Sequence, residues 1–519
     1  MSRSTARDGR LNQLQFHALT NYEPVWEFLS RRPVTRRFTN RALINSAVQY
    51  VPTRPNPFST LTPYTSWASL TDRGYDSRHL PPAPQDDLPP AEAVAELFVR
   101  RGEDTLCPKS TVMFAYFAQW FTDGFLRSDR SVERDPRRND STHEIDLLPL
   151  YGVRPSWTEQ LRSHEGGRLK SQTLGGAEFP PYLYADGVKK PEFSEIGVVR
   201  PQQIPPERLD TLFAAGSDTT NSQLGFVLLN VLFLREHNRV AGELAREYPS
   251  WDDERLFQTA RNVMIVLLIK LVIEEYINHI TPYFFRLQAD PTPFKNERWI
   301  RPNWMAIEFN LLYRWHGLIP TKLRVGGADE TIWETIFNPS LVVQHGVAPL
   351  MQEASRQRAG RIGLLNTAPA LRGVELLSIQ EARAVGLAPY NDYRALAKFP
   401  RVTDFTQISG NPDVVSGLRE LYGSVDRIEL FPGLFAEDAR PNSVLPSLIG
   451  RMVGVDAFSQ ALTNPLLAPR VFNETTFSPA GMAIIAGTHR LSDIVHRNVP
   501  ETPGRHMITM TREGWQRER

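Results

Sequence analysis

The stretch Ala306–Pro320, AIEFNLLYRWHGLIP, is apolar at helical spacing and sets Tyr313 and His316 three residues apart. Side chains at i and i+3 share a helix face, so the spacing predicts an apolar helix that turns a phenol and an imidazole toward one object. A haem would use both groups, because imidazole ligates iron and a phenol held near the ring can be oxidised. The competing reading is a pair of core residues with satisfied hydrogen bonds, and the rest of the chain has to decide between the two.

EFNLLYRWHGLIP resembles the proximal helix of cyclooxygenases and related fatty-acid dioxygenases, members of the animal-type haem peroxidase family. Further stretches match in the same order: MFAYFAQWFTDGFL (Met113–Leu126), HEIDLLPLYG (His143–Gly152), FLREHNRV (Phe233–Val240), DERLFQTARNVMIVLLIKLVIEEY (Asp253–Tyr276), SRQRAGRIG (Ser355–Gly363), ELYGSVDRIELFPGL (Glu420–Leu434) and DAFS (Asp456–Ser459). The resemblance implies a mainly α-helical haem peroxidase fold preceded by short amphipathic, membrane-binding-like helices. The residues agree, since apolar positions recur at three- and four-residue spacing and two-residue alternation is scarce. Three regions are expected: helices over 1–55, a connector over 56–96 that includes proline-rich HLPPAPQDDLPPAEA, and a catalytic domain over 97–519.

With 59 basic and 58 acidic residues the net charge is +1, so no global field recruits nucleic acid. Cys107 is the only cysteine, which excludes an internal disulfide and with it the disulfide-knotted module that animal cyclooxygenases carry. The opening MSRSTARDGRLNQ lacks the apolar core of a signal peptide. A reducing cytoplasmic setting, bacterial and not secreted, is the expectation, with attachment to the inner face of the membrane. The apolar run Val263–Ile273 is interrupted by Lys270 and falls well short of the roughly 20 residues that span a bilayer, so it reads as a core helix. Leu19–Val51 instead sets Tyr22, Val25, Trp26, Phe28 and Leu29 beside Arg31, Arg32, Arg36, Arg37 and Arg41, a composition suited to a lipid interface.

Carried over residue by residue, the resemblance makes His316 the axial ligand of a noncovalent haem b. Thr219 and Ser222 stand where covalent family members have arginine and glutamate, and neither supports an ester link. His237, in REHNR, is taken as structural. Phe431 replaces a tyrosine that hydrogen-bonds with the proximal histidine, a bond phenylalanine cannot make. On the distal side Gln119 matches the family glutamine, and Asp123 stands where a proton-shuttling histidine is usual. An unperturbed aspartate near pKa 3.9 is a weaker base than a histidine near 6.5, so peroxidase activity is expected to be reduced, unless burial raises the Asp123 pKa.

For the oxygenase half, the resemblance makes Tyr313 the radical residue and Tyr276 its hydrogen-bonding neighbour. Tyr283 and Arg36 would hold a fatty-acid carboxylate, with Arg37 and Arg41 as rival arginines, because a guanidinium beside a phenol offers charge and directed donors. Ile277, Trp315 and Ser459 would line the channel. The implied reaction is tyrosyl-radical abstraction of hydrogen from a polyunsaturated fatty acid, followed by addition of O2 to give a hydroperoxide or endoperoxide, with a peroxide as activator. A homodimer belongs to the same picture. The alternatives are a peroxidase acting on small reductants and a degenerate haem-binding protein.

Overall fold

The three- and four-residue apolar spacing is realised as helices, and strands occur only as two-stranded pairs among the described residues. The computed structural model describes every residue except 1–13, 15–16, 49–58, 130–134, 302, 500–505 and 519. The boundary expected at 55/56 lies outside the described residues.

The helices that build the site are α1 (Glu23–Arg31), α2 (Pro33–Val48), α3 (Val112–Asp123), α4 (Leu224–Glu247), α5 (Asp253–Leu271), α6 (Ile307–Leu312), α7 (Arg372–Ala384), α8 (Leu430–Ala436), α9 (Ser447–Leu462) and α10 (Glu474–Gly487). Strands β1 (Leu106–Thr111) and β2 (Arg358–Gly360) pair antiparallel.

At the centre is α5. Asp252 caps it by accepting the Arg255 backbone N–H at 2.8 Å, and every residue from Val263 to Leu271 is buried. Each large aliphatic side chain removed from water there contributes roughly 1.5–3 kcal/mol. The one charge in this run, Lys270, donates through Nζ to the Ile485 carbonyl of α10 at 2.6 Å, and burial lowers its pKa. Together with the segment that follows, α5 forms a helix long and apolar enough to cross a bilayer by composition, but 83% of its apolar window is buried in the fold, as for a core element. Past Leu271 the helix widens into a π-turn, Val272–Ile277, before closing at Asn278–Ile280. Such single-turn bulges re-aim side chains and often mark functional positions; this one carries Tyr276.

Two close backbone approaches fix the elements around the site. A Cβ on Gly225 of α4 would stand 2.4 Å from the Tyr116 ring of α3, so only glycine lets these helices meet. A Cβ on Gly360 of β2 would stand 2.0 Å from the Gly317 carbonyl oxygen, which pins the residue after His316 against the strand.

The continuous helix expected through Ala306–Pro320 does not form. α6 ends at Leu312, Tyr313 takes φ −101 and ψ 13, and His316 opens a separate 3-10 turn, His316–Leu318. Gly317 and Pro320 are poor helix residues, while Tyr313 packs at a tilt against Trp315 at 4.8 Å and edge-on to Phe309 at 5.1 Å, contacts that favour the break. Tyr313 and His316 are therefore neighbours across a loop, not partners on one helix face.

At the N-terminal end α1 has no buried residue, and Tyr22, Val25, Phe28, Val34 and Phe38 of α1, α2 and their flanks are exposed. Trp26 turns inward instead, edge-on to Phe285 at 6.3 Å. The later half of α2 packs on α9 through buried Ile44 and Val48.

Candidate active site

Tyr276, projected from the π-turn, lies among the rings of Phe114, Phe117 and Phe121 of α3 at 5.4, 5.8 and 5.9 Å. Its hydroxyl and that of Tyr313 are both buried, and each phenol perturbs the other's ionisation. Burial, above all, pushes both phenols well above their usual range; nearby Asp456 pushes Tyr313 further, and Tyr276 opposes it. A phenol held protonated in this way loses an electron only together with its proton. The structure thus brings Tyr313, Tyr276 and Trp315 together, and a side-chain hydrogen bond between the two phenols contributes to the ionisation of each.

Beside them, His316 has Nδ1 3.1 Å from Oε1 of Glu375 on α7, a carboxylate whose side chain is 1% exposed. Thr367 Oγ1 donates to the same oxygen at 2.6 Å and fixes it. The imidazole N–H is not aimed squarely at the oxygen, since neither His316 Nδ1 nor Glu375 Oε2 completes a hydrogen bond. The His316 side chain is 19% exposed. One ring nitrogen facing a carboxylate, on a ring that still reaches open space, is the arrangement of a histidine metal ligand, so the residues fit an axial role toward haem. Sequence reading saw that Phe431 removes the usual tyrosine but not that Glu375 stands beside the ring. Phe431 packs on Phe98 at 5.1 Å and edge-on to Phe435 at 5.1 Å, in a purely apolar cluster.

On the distal helix α3, the Gln119 side chain is half-buried. Asp123, one turn later, is tied down: its Oδ2 accepts from Ser217 Oγ at 2.6 Å, Thr219 Oγ1 at 2.7 Å and Arg127 Nη1 at 3.1 Å. Arg127 bridges on to Asp218 at 2.7 Å. Three donors to a buried carboxylate stabilise its anion and clamp the Ser217–Thr219 segment to α3. Thr219 is thus spent on Asp123, and Ser222 Oγ donates to the Thr219 carbonyl at 2.6 Å.

His237 is buried between Tyr151 Oη at 2.8 Å and the Gly167 carbonyl at 2.9 Å, and burial lowers its pKa to about 4, which suits a structural residue. A pair that sequence reading missed is His79 with Asp456, Nε2 to Oδ2 2.9 Å, both buried. Asp456 lies in the DAFS motif and His79 opens the proline-rich stretch HLPPAPQDDLPPAEA, but nothing in either stretch pairs them. The motif's Ser459 is buried, accepts from Asn303 Nδ2 at 2.9 Å and donates to the Asp456 carbonyl at 3.2 Å.

A cavity of about 140 Å³ opens between α2, the end of the α5 segment and α9. Ile277 and Tyr283 line it, as the channel reading expects, whereas Arg36, Trp315 and Ser459 do not. Arg36 lies two turns before Leu43, the first α2 residue on the cavity wall. Its rivals are engaged elsewhere, Arg37 with Asp290 at 2.8 Å and Arg41 with Glu297 at 2.7 Å. Arg36 has its Nε buried, and it is not among the residues that line the cavity with Tyr283.

Comparison with known proteins agrees with this geometry. The animal haem peroxidase family model matches residues 123–509. Prostaglandin G/H synthase 1 of Mus musculus is 32% identical over 499 residues, covering 93% of this chain and 80% of its own length. Prostaglandin G/H synthase 2 of Bos taurus is 29% identical over 501 residues, covering 94% and 81%. Among solved structures, a fatty acid alpha-dioxygenase of Arabidopsis thaliana superposes with TM-score 0.70 at 16% identity, covering 91% of this chain and 88% of that one. Peroxidase A of Dictyostelium discoideum gives 0.68 at 19%, covering 85% and 95%.

Proposed function

The chain belongs to the animal haem peroxidase family, and from that premise we propose that it is a haem-dependent fatty-acid dioxygenase in which Tyr313 is the hydrogen-abstracting residue. The observation that carries this reading is the buried Tyr313–Tyr276 pair one short loop from a histidine whose Nδ1 faces a carboxylate. Haem b, held through His316 without a covalent link, supplies the one-electron oxidising power when bound.

The chain's own groups do the rest. Tyr313 is half-buried, but its hydroxyl is out of contact with water, and burial keeps the phenol protonated. As a radical, Tyr313 takes a hydrogen atom from a lipid carbon: the C–H bond breaks, the phenolic O–H re-forms, O2 adds to the carbon radical, and the resulting peroxyl radical takes the hydrogen atom back from Tyr313, giving the hydroperoxide and restoring the tyrosyl radical. Which carbon reacts is set by how the lipid is held, since positioning within about 3–3.5 Å selects the reacting atom. Gln119 is the polar group that the distal helix offers, and Asp123 is committed to its three donors, which supports a weak peroxidase half-reaction.

The exposed Tyr22, Val25, Phe28, Val34 and Phe38, set among arginines, support peripheral attachment to a membrane, in this reading on its cytoplasmic face. Val25→Ser combined with Phe28→Ser should abolish co-sedimentation with anionic vesicles. The same reading takes the chain as a homodimer, which sedimentation of the purified protein checks.

The deciding experiment is incubation of haem-loaded protein with linoleate and with arachidonate under labelled O2, read by mass spectrometry. A labelled hydroperoxide or endoperoxide is expected. Rapid peroxide-dependent oxidation of a phenolic reductant, with no labelled lipid, would overturn the reading in favour of a peroxidase.

A further inference from the structure

Two stretches of chain that line the cavity, Thr281–Tyr283 after the α5 segment and the turn around Ser443 before α9, are tied to each other three times. The Val444 backbone N–H donates to the Ile280 carbonyl at 3.4 Å. Buried Lys109 of β1 donates through Nζ to the carbonyls of Thr281 at 2.9 Å and Asn442 at 3.1 Å. The third tie comes from the C-terminal tail. Arg517 lies over the Phe284 ring at 4.0 Å and donates to the carbonyls of Pro282 and, at 3.3 Å, Tyr283. Glu518 then gives its N–H to Asn442 Oδ1 at 2.8 Å and accepts Asn442 Nδ2 on its carbonyl at 2.9 Å. Asn442 has φ 65, a left-handed conformation that asparagine tolerates, and its carboxamide offers the donor and the acceptor that an extended chain needs.

The tail differs from the other two ties in that it can detach without unmaking the core. Residues 512–518 form no helix or strand, Glu518 is exposed, and none of the described tail residues lines the cavity. Trp515 meets two cations, Lys109 at 4.9 Å and Arg517 at 5.8 Å. Burial first, and the charge of Arg517 next, lowers the Lys109 pKa to about 7, so the tail's hydrogen bonds hold Arg517 in place against a like charge. We propose that Trp515–Glu518 is a latch that holds the Thr281–Tyr283 stretch against the Asn442 turn, and that its release lets a long-chain lipid pass into and out of the cavity. This rests on the fatty-acid reading of the site and adds a gate outside the binding surface. A gate of that kind sets how fast lipid exchanges, not how tightly it is held.

The test follows dansylaminoundecanoic acid, a saturated probe that is not turned over, binding to the haem-loaded protein in stopped-flow fluorescence. Asn442→Gly removes both contacts with Glu518 and keeps a residue at ease with positive φ; Arg517→Ala removes the guanidinium. Each should raise the association and dissociation rates together by roughly tenfold, as expected for losing one or two hydrogen bonds from the latch, with Kd changed by less than about twofold. Removal of residues 515–519 should go further in the same direction. Faster dissociation alone, or unchanged rates in both point variants, would overturn the latch. The parent protein supplies a measure that needs no substitution: its hydrogen-bonded Glu518 amide should exchange with solvent deuterium far faster than the amides of α5. Equal protection would overturn the latch as well. Faster probe exchange in the variants, with no oxygenation of linoleate by the parent, would refute the dioxygenase reading alone. Oxygenation of linoleate with probe exchange unaltered in the variants would refute the latch alone.

Discussion

His316 Nδ1 and Glu375 Oε1 stand 3.1 Å apart, a histidine on a loop facing a carboxylate on α7 that Thr367 holds in place. A carboxylate facing the far nitrogen makes an imidazole a stronger donor to a metal, so Glu375 should favour the ferric over the ferrous state of bound haem. Glu375→Gln removes the carboxylate charge beside the imidazole and is therefore expected to raise the reduction potential. Spectroelectrochemistry measures it directly, and the iron–histidine stretch of the ferrous protein should fall in parallel. An unchanged potential would show that the contact is only packing.

Tyr313→Phe keeps the ring between Phe309 and Trp315 and removes the oxidisable hydroxyl. Lipid oxygenation should fall to background, while haem binding, read from the Soret band, and peroxide consumption persist. Tyr276→Phe should act differently: it removes the phenol coupled to Tyr313 but not the radical site, so oxygenation should drop without vanishing. If Tyr313→Phe oxygenates linoleate at the parental rate with the same product, the abstraction role is wrong.

What could be read from the sequence follows from how local each signal is. Tyr313, His316, Gln119, Asp123, Tyr276 and Tyr283 lie in contiguous motifs, and the helical content follows from apolar spacing. The break after Leu312 was legible only in part: Gly317 and Pro320 signal that the helix ends, but its place is set by the ring contacts of Tyr313 and the Gly317–Gly360 backbone approach, which only the fold brings about. Glu375 meets His316, and Arg440 and Arg451 border the cavity with Tyr283, only once distant helices pack, and nothing in the local pattern marks them. The tie between Asp123 and Arg127 was not legible as a helix-face pair, because α3 ends at Asp123 and Arg127 lies beyond it. Nor was its extension to Ser217 and Thr219.

Asp123 joins α3 to the Ser217–Thr219 segment, so its replacement bears on stability as well as chemistry. Asp123→Asn keeps the shape but weakens three donors to a buried anion, and should cost roughly 1–3 kcal/mol by denaturant titration. Asp123→His introduces the distal base usual in the family, for which a positioned acid–base group gives typically 10²–10⁴ in rate. Because the change also leaves buried Arg127 without one of its two carboxylates, the gain in peroxide turnover should fall well below that range and come with a lowered melting temperature. A full gain without loss of stability would mean the network is not needed to hold the segment.

The pH dependence of stability tests the burial of His237, which burial holds neutral with a folded pKa of about 4 against an ordinary 6.5. As pH falls through 6.5 the unfolded chain takes up a proton at this residue and the folded chain does not, so stability declines between pH 6.5 and 4 and levels off, for this group, below that. The full shift corresponds to roughly 3 kcal/mol. His237→Gln retains an amide able to meet Tyr151 Oη and the Gly167 carbonyl, and it removes the titration, so the mutant should be less stable than the parent at pH 8 and lose less on going to pH 4.5. His279, buried against Ser110 and Thr511, is also shifted downward by burial, so the slope should shrink without disappearing. Parallel stability profiles for parent and mutant, measured by urea titration across this range, would show that His237 takes up its proton as readily in the fold as in the unfolded chain.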